Sequence, residues 1–268
     1  MTIPLYRRKA AGAEAVMKHA MADSKTPPPG AVPPSLARVA FHAVAAGLTP
    51  LIPVPFLDDY ALRQVREQSV RDQLKEKGLK APDKAVAVLA GSYDERSLGG
   101  RLVSYLKAVA LFPVRKVFRK VFFVLWVKDC VDLTSVCLHH GYLLHHALQR
   151  GDLDAASLQG DAPRKVQAAI VASCAEMDAR PINQALRRLF RSSSVLMAEA
   201  TRAFLDPKHG GARVPDPKGE SAEVKSLTDR LLQEMWEERG YFTALEAHYD
   251  KHLKSGLAPT QARAATGT

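Results

Sequence analysis

Residues 101–128 read RLVSYLKAVALFPVRKVFRKVFFVLWVK and combine seven basic side chains with no acidic one in an otherwise apolar stretch. At about 100° per residue, the part after Pro113 places its valines and phenylalanines on one side and its charges on the other. The sequence therefore predicts a basic amphipathic helix that is apolar all round near its C-terminal end. The residues predicted to make its contacts are Arg115, Lys116, Arg119, Lys120, Phe122, Phe123 and Trp126.

Two interpretations of the 101–128 helix follow from its pattern. A helix with one basic face and one aromatic end suits the headgroup boundary of an anionic membrane, and the same face could meet an acidic protein partner. A long core helix, whose Lys and Arg stems lie along apolar surface while their charges reach water, would have the same composition. Nucleic-acid binding is the alternative prediction, ranked lower because Val and Phe, rather than Asn, Gln or Ser, lie between the basic residues.

Composition narrows the class of protein. The chain has 268 residues, 47% of them hydrophobic, which is enough for one large or two small cores. Its net charge of +10 favours an acidic partner. The three cysteines form no C-x-x-C pair, so they indicate neither a disulfide framework nor a thiolate zinc site. Because residues 1–30 lack the apolar core of a secretory signal, we predict a cytoplasmic protein that acts at the inner face of the membrane.

Helical periodicity recurs along the chain and predicts an all-α, multi-helix bundle. Helices are expected from Ser35 to Leu48, from Asp58 or Asp59 to Gly78, and between Asp129 and Gly151, with an αα-hairpin at about 163–205 capped by Asp161. The C-terminal helix follows a Pro- and Gly-rich linker and is expected to be only modestly coupled to the core. The predicted organisation is a disordered basic and Pro-rich tail at 1–34, a helical core at 35–206, a linker at 207–220, a helix at 221–255 and a disordered tail at 256–268.

The longest run without charge extends from Val39 to Leu57, nineteen residues if His42 is counted as neutral. That length could cross a bilayer, but Pro50, Pro53 and Pro55 interrupt the second half. We therefore predict that the helix ends near Thr49 and that both ends of the run lie on one side of any membrane.

Within this region, Gly47 to Asp59 reads GLTPLIPVPFLDD. The glycine, the spaced prolines among aliphatic residues and the closing aspartates resemble a segment of the EcsC-like bacterial proteins. They are also similar to the membrane-associated domain of unknown function that accompanies some bacterial GTPases. The resemblance implies a helical architecture near membranes and implies no reaction. The chain has no G-x-x-x-x-G-K-[ST] loop, so the GTPase itself is missing.

Histidines are the best candidates for chemistry. His139, His140, His145 and His146 fall on one predicted helix, but as adjacent pairs they face different directions and are predicted not to share a metal. His248 and His252 do have the i,i+4 spacing of a helical metal site, in HYDKH, although the glutamate of H-E-x-x-H is absent. No G-x-S-x-G is present. We predict a non-catalytic membrane-associated or scaffold protein with no cofactor and no small-molecule substrate. The alternatives are a basic nucleic-acid-binding protein and, ranked lowest, an enzyme whose site has an unrecognised spacing.

Overall fold

The computed structural model describes residues 34–51, 57–92, 119–192 and 222–255. Within these ranges the chain forms eight α-helices and two short 3-10 turns, and no strand, which confirms the all-α prediction. The predicted tails, the linker at 207–220 and residues 193–205 of the predicted hairpin lie outside the described residues, apart from Pro34. The helices are α1 Pro34–Leu48, α2 Leu57–Glu76, α3 Asp83–Leu89, α4 Arg119–Arg150, α5 Ala162–Glu176, α6 Arg180–Ser192, α7 Ala222–Glu237 and α8 Arg239–Ser255.

Helix α1 is the centre of the bundle. Residues 39–48 are all buried, and the helix packs mainly against α4 and also against α2 and α7. The stretch from Val39 to Leu48, which contains no Asp, Glu, Lys or Arg, is therefore that of a helix surrounded by protein. As predicted, the helix ends at Leu48, where a 3-10 turn, Thr49–Leu51, begins and the Thr49 hydroxyl donates a 2.8 Å hydrogen bond to the Ala46 carbonyl. None of the described helices is both long enough and apolar enough to cross a membrane.

Helix α4 corrects the predicted break at Asp129. It continues from Arg119 to Arg150, 32 residues or about 48 Å, so the end of the basic segment and the histidine helix are one element. No proline interrupts this range, and Lys128 and Asp132 form an i,i+4 ion pair of 2.6 Å across the expected boundary. The helix ends, as predicted, at Gly151, whose φ of +79° suits glycine.

The α1–α4 crossing depends on one small residue. A Cβ atom at Gly47 would lie 1.8 Å from Thr134 Oγ1 and 3.0 Å from the Cys130 carbonyl oxygen. These distances leave no space for a side chain at this position. The glycine of the GLTPLIPVPFLDD segment therefore permits the close contact between the two most extensively packed helices.

The two helices of the predicted hairpin, α5 and α6, are joined by the short turn at 177–179. Their predicted apolar stripes are buried, with Val166 and Ile170 on α5 and Ile182 and Leu186 on α6. Each packs mainly on other helices: α5 contacts α8, α3 and α4, whereas α6 contacts α4 and α7. The predicted Asp161 side-chain cap is wrong: Asp161 is the N-cap residue, but its backbone is helical (φ −90°, ψ −5°) rather than extended, and its side chain makes no capping hydrogen bond.

Two helix starts also differ slightly from prediction. Helix α1 begins at Pro34, so Ser35 lies inside the first turn, where its hydroxyl is 3.4 Å from His145 Nε2. Helix α2 begins at Leu57, which places Asp58 and Asp59 in its first turn rather than before it. Carboxylates in a first turn still interact favourably with the positive end of the helix dipole.

The C-terminal segment forms two helices, α7 and α8, with a break at Glu238. Helix α7 packs on α1 and α6, and α8 packs on α5 and α4. Their apolar residues belong to the same buried cluster as the central helices, which replaces the expectation of a loosely coupled C-terminal helix. The residues they contribute are Val224, Leu227, Leu231, Met235, Phe242, Leu245 and Tyr249.

Candidate functional site

The described part of the basic segment is the N-terminal end of α4. Arg119, Lys120, Phe122, Phe123 and Trp126 lie in its first turns, while Arg115 and Lys116 lie outside the described residues. The following turn enters the core, because Val127, Cys130 and Val131 are at most 5% exposed. The basic segment is therefore joined to the centre of the fold through an unbroken helix.

Positive charge is distributed unevenly along the chain. The described ranges contain 23 basic and 20 acidic residues, a net charge of +3 out of the total of +10. Residues 1–33 and 93–118 contribute +3 each. Many described cations are paired, for example Arg71 with Asp83 at 2.8 Å and Arg150 with Asp250 at 2.6 Å. The excess positive charge is thus concentrated in the N-terminal segment and in the segment that precedes α4.

The four histidines of α4 connect it to its neighbours. His139 Nε2 contacts the Tyr241 hydroxyl of α8, and His140 Nε2 lies 2.9 Å from Gln167 Oε1 of α5. His146 Nε2 lies 3.0 Å from Asp250 Oδ1 of α8, and His145 Nε2 lies between Ser35 of α1 and Gln149. Among the described residues these four form no group that could hold a metal ion together.

Acidification is expected to destabilise the fold through three of these histidines. Burial lowers the pKa of His139, His140 and His145 below the ordinary value of 6.5. The unfolded chain therefore binds protons more readily in the window from about pH 6.5 down to the folded-state pKa values. We expect the free energy of unfolding to be constant near neutral pH and to fall below about pH 6.5, with uptake of up to three protons on unfolding.

Urea denaturation at a series of pH values between about 8 and 5 measures this uptake as the slope of the unfolding free energy. A His140→Gln variant, which keeps a hydrogen-bonding group beside Gln167, should reduce the slope by one proton. The pKa of Asp72 is lowered by the hydrogen bond from His42 despite the partial burial of its carboxylate. The contribution of this carboxylate to the free energy of unfolding is therefore lost only below its ordinary pKa of 3.8, outside the pH range of the experiment. Stability that stays level or rises between pH 6.5 and 5 would contradict the prediction.

A cavity of about 380 Å³ lies among α1, α2, α4, α5 and the turn that follows α3. Its lining includes Arg66 and three histidines, His42, His139 and His140, and no Asp or Glu among the described residues. Two valines in the lining, Val136 and Val171, are more than half exposed. The volume matches that of small-molecule sites, and the lining suits an apolar ligand that carries a negative group.

The cavity contains no activated thiol. Burial raises the pKa of Cys137, and it raises the pKa of Cys174 to about 11, so both lining cysteines are protonated near neutral pH. The third cysteine, Cys130, lies in the core with its pKa raised to about 12 by burial. None of the three has the lowered pKa of a nucleophilic cysteine.

The structure also adds a residue to the pair His248 and His252. Glu176, the last residue of α5, brings a carboxylate oxygen to within 4.8 Å of one nitrogen of each histidine. No local sequence pattern indicates this neighbour, because Glu176 lies 72 residues before His248. Likewise, no local pattern marks Arg66 and Gln167 as residues of one cavity.

No protein-family model, curated protein or solved structure matches this chain. The resemblance of Gly47 to Asp59 to EcsC-like proteins therefore stays a prediction.

Proposed function

We propose that this protein is a non-catalytic, membrane-associated protein that contacts an anionic membrane surface at the cytoplasmic face through the basic segment at 101–128. The observation that carries the proposal is the charge distribution. Outside 101–128 the described ranges contain 20 basic and 20 acidic residues, whereas 101–128 has seven basic residues and no acidic one. Lys and Arg near an anionic surface contribute about 1 kcal/mol each to binding.

The continuity of α4 supports the same proposal. Arg119, Lys120 and the aromatic residues Phe122, Phe123 and Trp126 belong to a helix whose next turns are buried among α1 and α6. A membrane surface that binds the N-terminal end of α4 would therefore be connected through this helix to the whole bundle. The second basic cluster, Arg187, Arg188 and Arg191, lies on the exposed face of α6, and Arg188 is already paired with Glu234 at 3.0 Å.

An acidic protein partner or a nucleic acid would also be attracted by the four basic residues Arg115, Lys116, Arg119 and Lys120. The proposal favours the membrane because the residues between the charges are Val and Phe, which insert among lipid chains but do not hydrogen-bond to base edges. The experiment below separates these partners.

Reversing four charges is expected to release the protein from anionic membranes. In Arg115→Glu/Lys116→Glu/Arg119→Glu/Lys120→Glu, four attractive contributions of about 1 kcal/mol each are lost and repulsion is added, so binding should weaken at least about a thousandfold. Flotation with vesicles of phosphatidylserine and phosphatidylcholine measures the effect, and vesicles of phosphatidylcholine alone should bind neither protein. Raising the salt concentration should weaken wild-type binding in the same direction.

A matched control reverses four exposed basic residues elsewhere, Lys80, Lys84, Arg164 and Lys165, and keeps the net charge equal to that of the test variant. This control should lose far less binding, because only the general charge of the protein changes. Equal loss in both variants would show that net charge, and not the segment, attracts the membrane. Binding of the wild type to duplex DNA in preference to vesicles, with a steep salt dependence, would replace the membrane by a nucleic acid. Unfolding of the test variant alone would assign these charges to the packed structure.

A further inference from the structure

Three potential metal ligands converge where α5 ends against α8. His248 Nδ1 lies 3.1 Å from Glu176 Oε2, and His252 Nε2 lies 3.1 Å from Glu176 Oε1. All three ligand atoms lie within 4.8 Å of one another. The two histidines are one turn apart on α8, so their rings project from the same face of the helix toward Glu176. This contact between α5 and α8 is one of the main helix pairings of the fold.

His252 is a buried imidazole without a hydrogen bond. Its side chain is 5% exposed, and neither ring nitrogen has a hydrogen-bond partner among the described residues. Nε2 is close to the Glu176 carboxylate, but the direction of the contact does not satisfy hydrogen-bond geometry. A buried polar group without a partner costs free energy, and a ligand on Nε2 would remove this cost.

We propose that Glu176, His248 and His252 bind one divalent first-row transition-metal ion, with Zn²⁺ as the best match. Two imidazole nitrogens and one carboxylate oxygen form a common set of three protein ligands to zinc. Around a tetrahedral ion with bonds of about 2.0–2.2 Å, neighbouring ligand atoms are separated by about 3.3–3.6 Å. The two histidine nitrogens lie 3.1 Å from different oxygens of Glu176, and with one atom taken from each residue the three ligand atoms lie within 4.8 Å of one another, so side-chain rotations would bring them to that separation. Mg²⁺ and Ca²⁺ prefer oxygen ligands and do not suit this set.

The exposure of the group leaves room for a fourth ligand. The side chain of Glu176 is 42% exposed and that of His248 is 34% exposed, whereas His252 closes the inner side. Water can therefore reach the outer coordination position. A metal ion at this place would link the end of α5 to α8 and so stabilise the docking of the C-terminal helix.

Lys251 also contacts the carboxylate of Glu176. Its Nζ lies 3.3 Å from Glu176 Oε2, and its side chain is 66% exposed. The ammonium group competes with a metal ion for Glu176, and its exposure allows it to turn toward solvent when the ion binds.

The test uses the full chain, dialysed against a chelator and titrated with Zn²⁺ by calorimetry. We expect one tightly bound ion per chain and a rise in melting temperature that the chelator reverses. Glu176→Gln and His248→Gln, both at partly exposed positions, should keep the metal-free melting temperature and weaken binding at least about tenfold each. Lys251→Ala should bind Zn²⁺ more tightly than the wild type, an effect that a merely structural ion-pair cluster would not show.

The matched control is Glu237→Gln, which makes the same charge change at an exposed residue of α7. It should bind Zn²⁺ like the wild type. The proposal is overturned if the wild type binds no ion. It is also overturned if binding is unchanged in Glu176→Gln and His248→Gln, because the ion would then be held by other histidines. Equal stabilisation by Mg²⁺ would also overturn it. Vesicle binding has no part in this test, so its outcome is independent of the proposed membrane contact.

Discussion

A chain that ends at Asp206 will fail to fold cooperatively. Truncation removes α7 and α8 and with them seven buried apolar side chains of the main core cluster. Burial of one such side chain contributes about 1.5–3 kcal/mol, so the loss of seven exceeds about 10 kcal/mol, comparable to the whole stability of a typical domain. It would also expose the faces of α1, α5 and α6 that these helices cover.

Polar contacts to α8 would be lost as well. The Tyr249 hydroxyl donates to Asp152 Oδ2 at 3.1 Å, and the Tyr142 hydroxyl donates to Glu246 Oε1 at 2.6 Å. Thermal unfolding followed by circular dichroism should show a sharp transition for the full chain and none for residues 1–206. A chain that ends at Ser255 is the control and should unfold like the full chain. A sharp transition near the full-length temperature in the shorter chain would restore the domain boundary predicted from the linker.

Gly47→Ala is expected to be the most damaging single methyl addition in the fold. The new Cβ would lie 1.8 Å from Thr134 Oγ1 and 3.0 Å from the Cys130 carbonyl oxygen, and the carbonyl cannot move without bending α4. Overpacking of this kind costs about 3 kcal/mol or more. Urea denaturation of the variant measures the loss, and two other glycines provide matched comparisons.

At Gly141 the nearest atom to an added Cβ is a Val39 methyl at 3.1 Å, which can shift, so Gly141→Ala should cost about 1 kcal/mol. At Gly240 an added Cβ meets nothing within 4 Å, so Gly240→Ala in helix α8 should be neutral or stabilising by up to about 1 kcal/mol. Similar losses at all three positions would contradict the close-contact explanation.

Thr134→Ala should recover part of the Gly47→Ala loss. Thr134 Oγ1 is the atom that clashes most severely, and it has no hydrogen-bond partner in the described structure, so its removal leaves no polar group unsatisfied. A double-mutant cycle should give a favourable coupling energy of about 1 kcal/mol or more. Additive losses would mean that the Cys130 carbonyl, and not Thr134, limits the space at this crossing.

Local sequence patterns determined most of the helix ends. Prolines after Leu48 stop α1, and glycines at positions 78, 91 and 151 take the positive φ values that follow α2, α3 and α4. These are short-range effects, because a missing amide hydrogen or a left-handed backbone acts within a few residues of its position. The predicted break at Asp129 is wrong, because neither proline nor glycine lies near that position to end a helix.

The charge and the aromatic residues of the basic segment at 101–128 are determined by the sequence alone. Its seven charges and its aromatic end are fixed by composition, and α4 shows only that the second part continues into the core. The partner that these charges meet depends on a surface outside the molecule.

Tertiary structure alone decided what each helix packs against. An apolar stripe predicts that a face is buried, but hydrocarbon, a neighbouring helix and a distant segment satisfy it equally well. For that reason the sequence could not show that residues 39–48 are enclosed by protein, or that α7 and α8 complete the same core. Glu176 meets His248 and His252 because α5 and α8 pack side by side, and contacts across 72 residues leave no periodic signal in the chain.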